Sequence, residues 1–204
     1  MKRWLESQHS GKIEIIEEGG MLSLNTAKVC YSGRTLYEAF YPSLKQQDWR
    51  ELTRICLLGL GGGTLVKMLR EDLSYRGWID AVDFDPQIIE VSRELFGLAL
   101  ETDMAIYAED AQHFLHQVSE PYEVIICDLF IHDRMPEFME QIEFWKHAMN
   151  ALTPQGKIIV NAFAQKRRVM NMCALAEEAG LYMHRPTLVN GTNLMMLGEK
   201  RVKA

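Results

Sequence analysis

The hydrophobic pattern predicts a protein in which short strands and helices alternate. Short apolar runs recur at 55–58, 79–82, 122–127 and 158–160, each bounded by polar or glycine-rich residues. Apolar positions at helical spacing lie between them, as at 86–95. Short apolar runs of this kind are typical of strands buried on both faces, and their alternation with helices is typical of βαβ units. We therefore expect an α/β fold built on a doubly wound sheet.

Both ends of the chain depart from this alternation. Residues 13–29 read as two strands around a Gly-Gly turn, which predicts a β-hairpin. We assign residues 1–33 to an N-terminal hairpin extension and residues 34–204 to one main domain, whose first helix is expected in the region 34–49. That domain is expected to end in two strands, one of them antiparallel, at 181–188 and 193–199.

The glycine-rich segment after the first apolar run of this domain is the most informative part of the chain. Gly59, Gly61, Gly62 and Gly63 precede a helical pattern that starts at about Leu65. Glycines let the backbone approach a ligand closely, and the start of a helix offers free N–H groups. A nucleotide or nucleoside is the expected ligand. A strand–helix turn without a ligand is the alternative, and four glycines together favour binding.

Asp83 is the second candidate, since it ends an apolar strand and follows Gly63 by 20 residues. In a doubly wound sheet, an acid at this place accepts hydrogen bonds from the ribose of a nucleoside held by the first loop. A purely structural turn role is the alternative. That role fits Asp85 better, because Asp at the N-cap followed by Pro86 starts a helix well.

Two cofactor classes share this layout. A dinucleotide fingerprint requires Gly-x-Gly-x-x-Gly, and Thr64 stands at the third glycine position, which weakens an NAD assignment. An S-adenosyl sulfonium cofactor carries one nucleoside and no pyrophosphate. Two later acids help to decide between them: Asp110 lies just before a predicted helix that begins at Ala111, and Asp128 is the last residue of an apolar strand predicted at 121–128. Ligands bind at the carboxyl ends of such strands, which favours a functional Asp128 over a turn cap.

Together these segments resemble the spermidine synthase family, whose fold is that of class I S-adenosylmethionine-dependent methyltransferases. The resemblance rests on residues 58–65, 82–91 and 124–128 and covers roughly 13–198. It implies a Rossmann-like, mostly parallel sheet of seven strands, preceded by a trimmed N-terminal β-domain. It also implies a transferase, typical of polyamine biosynthesis, that uses S-adenosylmethionine or its decarboxylated form.

The resemblance implies a role for each matching residue. Asp83 would bind the ribose, and Asp110 with Ala111 would meet the adenine amino group. Asp128 stands at the family's catalytic aspartate, where it would orient an attacking amine, accept its proton and stabilise the ammonium. The residues implied to bind the nucleoside are Gly59, Gly61, Gly62, Asp83, Asp110 and Ala111. Those assigned to the acceptor side are Tyr37, His132 and Asp133.

Three positions depart from the family pattern. Gly61 replaces an aspartate that contacts the amino end of the cofactor, and Leu188 replaces a tyrosine that helps to hold the diamine. The second aspartate that follows the catalytic one is absent in register, and His132 and Asp133 could partly replace it. Without an aspartate at 61, a cofactor that keeps its α-carboxylate meets no like charge there. Methyl transfer from S-adenosylmethionine is therefore an alternative to aminopropyl transfer.

Composition narrows the partners. The net charge of −6 and the pI of about 5.6 argue against nucleic acid as the main partner. The sequence contains no apolar stretch long enough to predict a membrane span, and its four cysteines lack Cys-x-x-Cys spacing, so we expect a cytoplasmic protein. A small-molecule acceptor, with an amine as one option, no metal and a homodimer complete the expectation. A non-catalytic relative that binds the nucleoside, or less favourably an NAD-dependent oxidoreductase, remains the alternative.

Overall fold

The N-terminal part of the protein forms a separate antiparallel sheet. The computed structural model describes residues 2–18, 21–26, 30–131 and 134–201. In this first sheet each strand pairs with the next in chain order. Its strands are β1 (Lys2–Ser7), β2 (Gly11–Glu18), β3 (Met21–Asn25) and β4 (Cys30–Ser32).

The main sheet is mixed and has the strand order β7-β6-β5-β8-β9-β12-β10, with β11 paired to the start of β12. Strands β5 to β9 are mutually parallel, whereas β12 runs antiparallel to both of its neighbours β9 and β10. The predicted mostly parallel α/β sheet is thus confirmed, and among the described residues it has eight strands, because β11 adds one to the seven expected. Its strands are β5 (Arg54–Leu58), β6 (Trp78–Asp83), β7 (Met104–Ala108), β8 (Tyr122–Cys127), β9 (Leu152–Phe163), β10 (Leu181–Met183), β11 (Thr187–Val189) and β12 (Asn193–Lys200).

Helices cover both faces of this sheet, which explains why its central strands are apolar throughout. Ile125 and Ile158 face the core formed with α4, α5 and α6, while Ile126 and Ile159 face the core formed with α1 and α2. Within the described residues, no helix is long and apolar enough to cross a membrane. The helices are α1 (Arg34–Leu44), α2 (Thr64–Lys67) with a π-helical continuation (Met68–Asp72), α3 (Pro86–Leu95), α4 (Ala111–Gln117), α5 (Ile142–Asn150) and α6 (Lys166–Glu178), with short 3-10 turns at Leu98–Leu100 and Glu137–Glu140.

The N-terminal hairpin and the helix in the region 34–49 are confirmed, and the structure refines three boundaries. The expected hairpin at 13–29 is part of a four-stranded sheet, and its first strand, β1, was missed because that strand is mostly polar and exposed. Helix α1 ends at Leu44, whose carbonyl oxygen accepts a hydrogen bond from the buried indole of Trp49 at 2.7 Å. The strand expected at 181–188 is divided in two, and Pro186, which has no N–H to donate, lies in the break.

The N-terminal sheet packs on helix α3 and is tied to its first turn. Ile13 and Leu24 share a buried cluster with Ile88 on α3. In the turn after β1, the Ser10 hydroxyl donates to the buried carboxylate of Asp85 at 2.6 Å, and the Ser7 hydroxyl donates to the same oxygen. Asp85 also caps α3 by accepting from a backbone N–H with its other oxygen. The N-terminal sheet is thereby placed against one side of the cavity described next.

Candidate functional site

A cavity of about 330 Å³ lies at the carboxyl-terminal edge of the parallel strands. It extends to both sides of β5, the strand at which the chain order of the sheet reverses. Open α/β sheets bind ligands at this switch point, and the volume falls within the roughly 300–1,000 Å³ of small-molecule sites. One half lies above β5, β6 and β7 and is lined by Gly59, Gly61, Asp83, Phe84, Glu109 and Ala111. The other half lies above β8, β9 and β12 and is lined by Asp128, Phe130, Asn161, Phe163, Thr192 and Asn193.

The glycine turn is shaped by close backbone contacts. Gly59 has φ +93°, and a β-carbon there would lie 2.3 Å from the carbonyl oxygen of Asp128. Gly61 has φ +50°, and its β-carbon would lie 2.2 Å from the carbonyl oxygen of Tyr31. Both glycines line the cavity. Gly62 does not, because it is buried against Ser32 and the ring of Phe96.

Asp83 joins the end of β6 to the glycine turn. One carboxylate oxygen accepts from the backbone N–H groups of Leu60 at 3.1 Å and Gly61 at 3.3 Å, and the other accepts from the N–H of Asp85 at 3.0 Å. Burial raises the pKa of Asp83 to about 6, against the opposing effect of these three donors. A carboxylate oxygen can accept about two hydrogen bonds, and among the described residues Oδ1 receives only the one from Asp85. Asp83 therefore retains capacity at Oδ1 for a hydroxyl group of a ligand.

The end of β7 contributes a different acid from the one singled out in the sequence. The exposed Asp110 caps α4, with its Oδ1 accepting from the N–H groups of Gln112 and His113 at 2.9 and 3.1 Å, and it does not line the cavity. Its neighbours Glu109 and Ala111 do. Glu109 was missed, because the sequence analysis selected the acid directly before the helix, whereas Glu109 directly follows β7.

Asp128 continues the line of β8 beyond the strand. Its backbone N–H donates to the carbonyl of Leu58 at 2.8 Å, which fixes it beside the glycine turn. Its Oδ1 accepts from the amide of Asn161 on β9 at 2.8 Å. Burial raises the pKa of Asp128 to about 6, and the Asn161 donor opposes that rise. A carboxylate with such a pKa can accept a proton near neutral pH.

Tyr37, which was predicted to lie on the acceptor side, lies outside the cavity. Tyr37 stacks on Tyr41 with ring centroids 5.1 Å apart and does not line the cavity, to which α1 contributes Thr35, Leu36 and Ala39 instead. His132 and Asp133 lie outside the described residues. Over the residues that the structure describes, no group of three or more His, Cys, Asp or Glu side chains is arranged to hold a metal ion.

The residues that form this cavity, with two half-buried acids beside a glycine turn, lie mostly within a segment that matches a known protein family. The model of the spermine/spermidine synthase domain matches residues 54–200, from β5 to the end of β12. The chain belongs to this family. The match includes every strand of the main sheet and both halves of the cavity except the contributions of the N-terminal sheet and α1.

Curated proteins similar to the chain carry out two kinds of transfer. The eEF1A lysine and N-terminal methyltransferase of Bos taurus is 29% identical over an alignment of 153 residues, and the match covers 68% of this chain and 22% of that protein. The polyamine aminopropyltransferase of Neisseria meningitidis serogroup A is 27% identical over an alignment of 124 residues, and the match covers 56% of this chain and 43% of that protein. The chain thus spans less than half the length of either relative.

Among solved structures, a probable spermidine synthase from Corynebacterium glutamicum superimposes with a TM-score of 0.79. It is 19% identical, and the match covers 98% of this chain and 80% of that one. At this identity the likeness establishes the fold, including the N-terminal sheet.

Proposed function

We propose that this protein is a transferase that binds a sulfonium nucleoside, either S-adenosylmethionine or its decarboxylated form, and transfers a methyl or aminopropyl group to an amine. The observation that carries the proposal is the pair Asp83 and Asp128, which line one cavity on opposite sides of the glycine turn. Membership of the family, and relatives named for both methyl and aminopropyl transfer, support it.

The nucleoside would lie over the half of the cavity above β5, β6 and β7. There Asp83 Oδ1 would accept a hydrogen bond from a ribose hydroxyl, and Glu109 and Ala111, which line the same half, would contact the base. Phe84 and Ile88 supply apolar surface for the base, as small-molecule sites usually do. This arrangement leaves the sulfonium end near the glycine turn and Asp128.

The acceptor would enter the half above β8, β9 and β12. A neutral amine attacks the carbon bonded to the sulfonium, the carbon–sulfur bond breaks, and sulfur leaves as a neutral thioether. Positive charge thereby moves from sulfur to nitrogen, and a carboxylate beside the nitrogen stabilises it and accepts the released proton. Asp128 would fill that role, and the Phe130 and Phe163 rings, whose centroids lie 4.7 Å apart, line the same half of the cavity.

Calorimetric titration with both forms of the cofactor tests the binding step. Gly61 has no side chain, and the carbonyl oxygen of Tyr31 occupies the space that a β-carbon would need. No carboxylate at position 61 therefore repels the α-carboxylate of S-adenosylmethionine. Preference for S-adenosylmethionine would support methyl transfer, and preference for the decarboxylated form would support aminopropyl transfer. Binding of neither form by the parent protein would overturn the proposal.

Turnover is then measured with the preferred cofactor and a panel of monoamines, diamines and lysine-containing peptides. The peptides belong in the panel because the bovine relative is named for methylation of a protein. Asp128→Asn, a nearly isosteric change, should keep cofactor affinity and lose most turnover. Retained turnover would remove Asp128 from the mechanism, whereas binding without turnover on any amine would favour a non-catalytic nucleoside-binding protein.

A further inference from the structure

A line of side-chain hydrogen bonds crosses three neighbouring strands and ends on Asp128. Thr192 Oγ1 donates to Asn193 Oδ1 at 2.7 Å, and Asn193 Nδ2 donates to Asn161 Oδ1 at 2.8 Å. Asn161 Nδ2 then donates to Asp128 Oδ1 at 2.8 Å. Asn161 is buried, with 3% of its surface exposed, and all four residues line the cavity.

The direction of this line is set by the carboxylate. An ionised carboxylate accepts hydrogen bonds and cannot donate, so Asn161 must turn its NH₂ group toward Asp128. Its carbonyl oxygen then points the other way and needs a donor, which Asn193 provides. The buried Asn161 amide therefore has one favourable orientation. If it flipped, its oxygen would face the Asp128 carboxylate and its NH₂ group would face the NH₂ group of Asn193.

This line of hydrogen bonds uses one carboxylate oxygen of Asp128 and leaves the other oxygen able to accept a hydrogen bond from a ligand. Among the described residues, Oδ1 receives the Asn161 bond and Oδ2 receives none from a side chain or backbone group. We propose that Asn161 and Asn193 are positioning residues, which lock the Asp128 carboxylate so that Oδ2 is presented to the acceptor nitrogen. The inference rests on the function proposed above, and it identifies the residues that set the geometry of its base.

The surrounding charges make the Asn161 bond the main support for an ionised Asp128. The acidic side chains of the cavity are Asp83 at the end of β6 and Glu109 after β7, and the Cys127 thiol adjoins Asp128 on β8. Strands β9 and β12 contribute the neutral amides of Asn161 and Asn193, and Thr192 just before β12 contributes a hydroxyl. Tyr31 on β4 contributes a phenol, and α1 contributes Thr35, Leu36 and Ala39. Within the described part of the chain, no Lys, Arg or His side chain lines the cavity.

The test is a ¹³C NMR titration of the Asp128 carboxyl carbon in the whole protein, assigned by its loss in Asp128→Asn. Asn161→Leu removes the donor at similar volume and should raise the titration midpoint of Asp128 by about one pH unit or more. Asn193→Leu keeps the Asn161 donor but removes the hydrogen bond to the Asn161 carbonyl oxygen, so we expect a smaller rise in the Asp128 midpoint. Asn171→Leu, the same change on the exposed face of α6, is the control and should leave the midpoint unchanged.

Kinetics add a readout that a merely structural role would not change. With an acceptor in hand, Asn161→Leu should lower kcat, leave the dissociation constant of the cofactor unchanged and shift the acidic limb of the pH profile upward by the NMR shift. Should Asn161→Leu fail to fold, Asn193→Leu carries both measurements. An unchanged midpoint in the folded variants would overturn the positioning role, and this result does not depend on whether turnover is found.

Discussion

The contact between Gly61 and Tyr31 offers a quantitative test of how the N-terminal sheet is joined to the nucleoside half of the cavity. Gly61 has φ +50°, and a β-carbon there would lie 2.2 Å from the carbonyl oxygen of Tyr31. Gly97 has φ +80°, but nothing lies within 4 Å of the position of its β-carbon. Alanine at the two sites therefore separates the backbone penalty from the steric one.

The expected magnitudes follow from these two geometries. A left-handed backbone costs a non-glycine residue roughly 1–2 kcal/mol, and a less flexible unfolded chain offsets roughly 0.4–1 kcal/mol of that. Gly97→Ala should accordingly lower the free energy of unfolding by about 1 kcal/mol. Gly61→Ala adds the cost of overpacking, roughly 1–3 kcal/mol, because the β-carbon overlaps backbone rather than a flexible side chain. We expect a total loss of about 2–4 kcal/mol at Gly61.

Urea unfolding followed by tryptophan fluorescence measures both losses, since the chain has four tryptophans. In thermal unfolding the same losses correspond to about 2–4 °C for Gly97→Ala and roughly 4–16 °C for Gly61→Ala in a chain of this size. Equal losses at the two sites would refute the reasoning. The variant Gly61→Asp restores the acid implied by the family resemblance. If this variant were as stable as Gly97→Ala or more stable, the reasoning would also be refuted.

Three further predictions concern the acids of the main sheet. Asp83→Asn should weaken binding of the preferred sulfonium nucleoside by roughly 10- to 100-fold in calorimetry, because hydrogen bonds to a charged group contribute roughly 1.5–3 kcal/mol, and unchanged affinity would remove the ribose role. Burial raises the folded pKa of Asp128 from 3.8 to about 6, so the folded state binds more protons than the unfolded state between those values and this contribution to stability is lost as pH rises through them. Asp128→Asn should therefore gain stability relative to the parent between about pH 4 and pH 6 in urea unfolding, and a pH-independent difference would contradict the burial argument. The side chain of Asp80 is 1% exposed and accepts a hydrogen bond from Arg54 at 2.8 Å. Asp80→Ala should therefore lower the free energy of unfolding by about 3–5 kcal/mol, because it leaves the Arg54 charge without its partner, while nucleoside affinity is retained. A loss below about 1 kcal/mol would show that the pair contributes little.

The sequence was most informative where local chemistry and burial agree. Asp85 followed by Pro86 predicted the start of α3, and the helix runs over Pro86–Leu95 as expected. The apolar run 122–127 followed by Asp128 predicted a strand with an acid at its end, and the structure places that acid in the cavity. Both predictions depend on residues adjacent in the chain, whose physical preferences can be read without knowing the rest of the fold.

Prediction failed where distant segments decide the outcome. Glu109 lines the cavity and Asp110 does not. Which of these two adjacent residues faces the cavity depends on the register in which β7 pairs with β6, and that register cannot be read from the residues at the end of β7 alone. Asn193 opens β12, and only the antiparallel insertion of that strand beside β9 brings it to Asn161. The polar strand β1 carries no apolar alternation, so its pairing with β2 could not be anticipated.

The position of β12 has a consequence for how the protein acquires its site during folding. This strand, near the end of the described chain, inserts between β9 and β10 rather than adding to an edge of the sheet. Pairings between residues far apart in sequence form slowly, because the loop between them must be closed first. A chain emerging from the ribosome can thus assemble the glycine turn and Asp83 from residues 54–83 before Asn193 exists to complete the line that ends on Asp128. The nucleoside half of the cavity can precede the acceptor half, so cofactor present during synthesis would meet a binding surface before the protein has the geometry to use it.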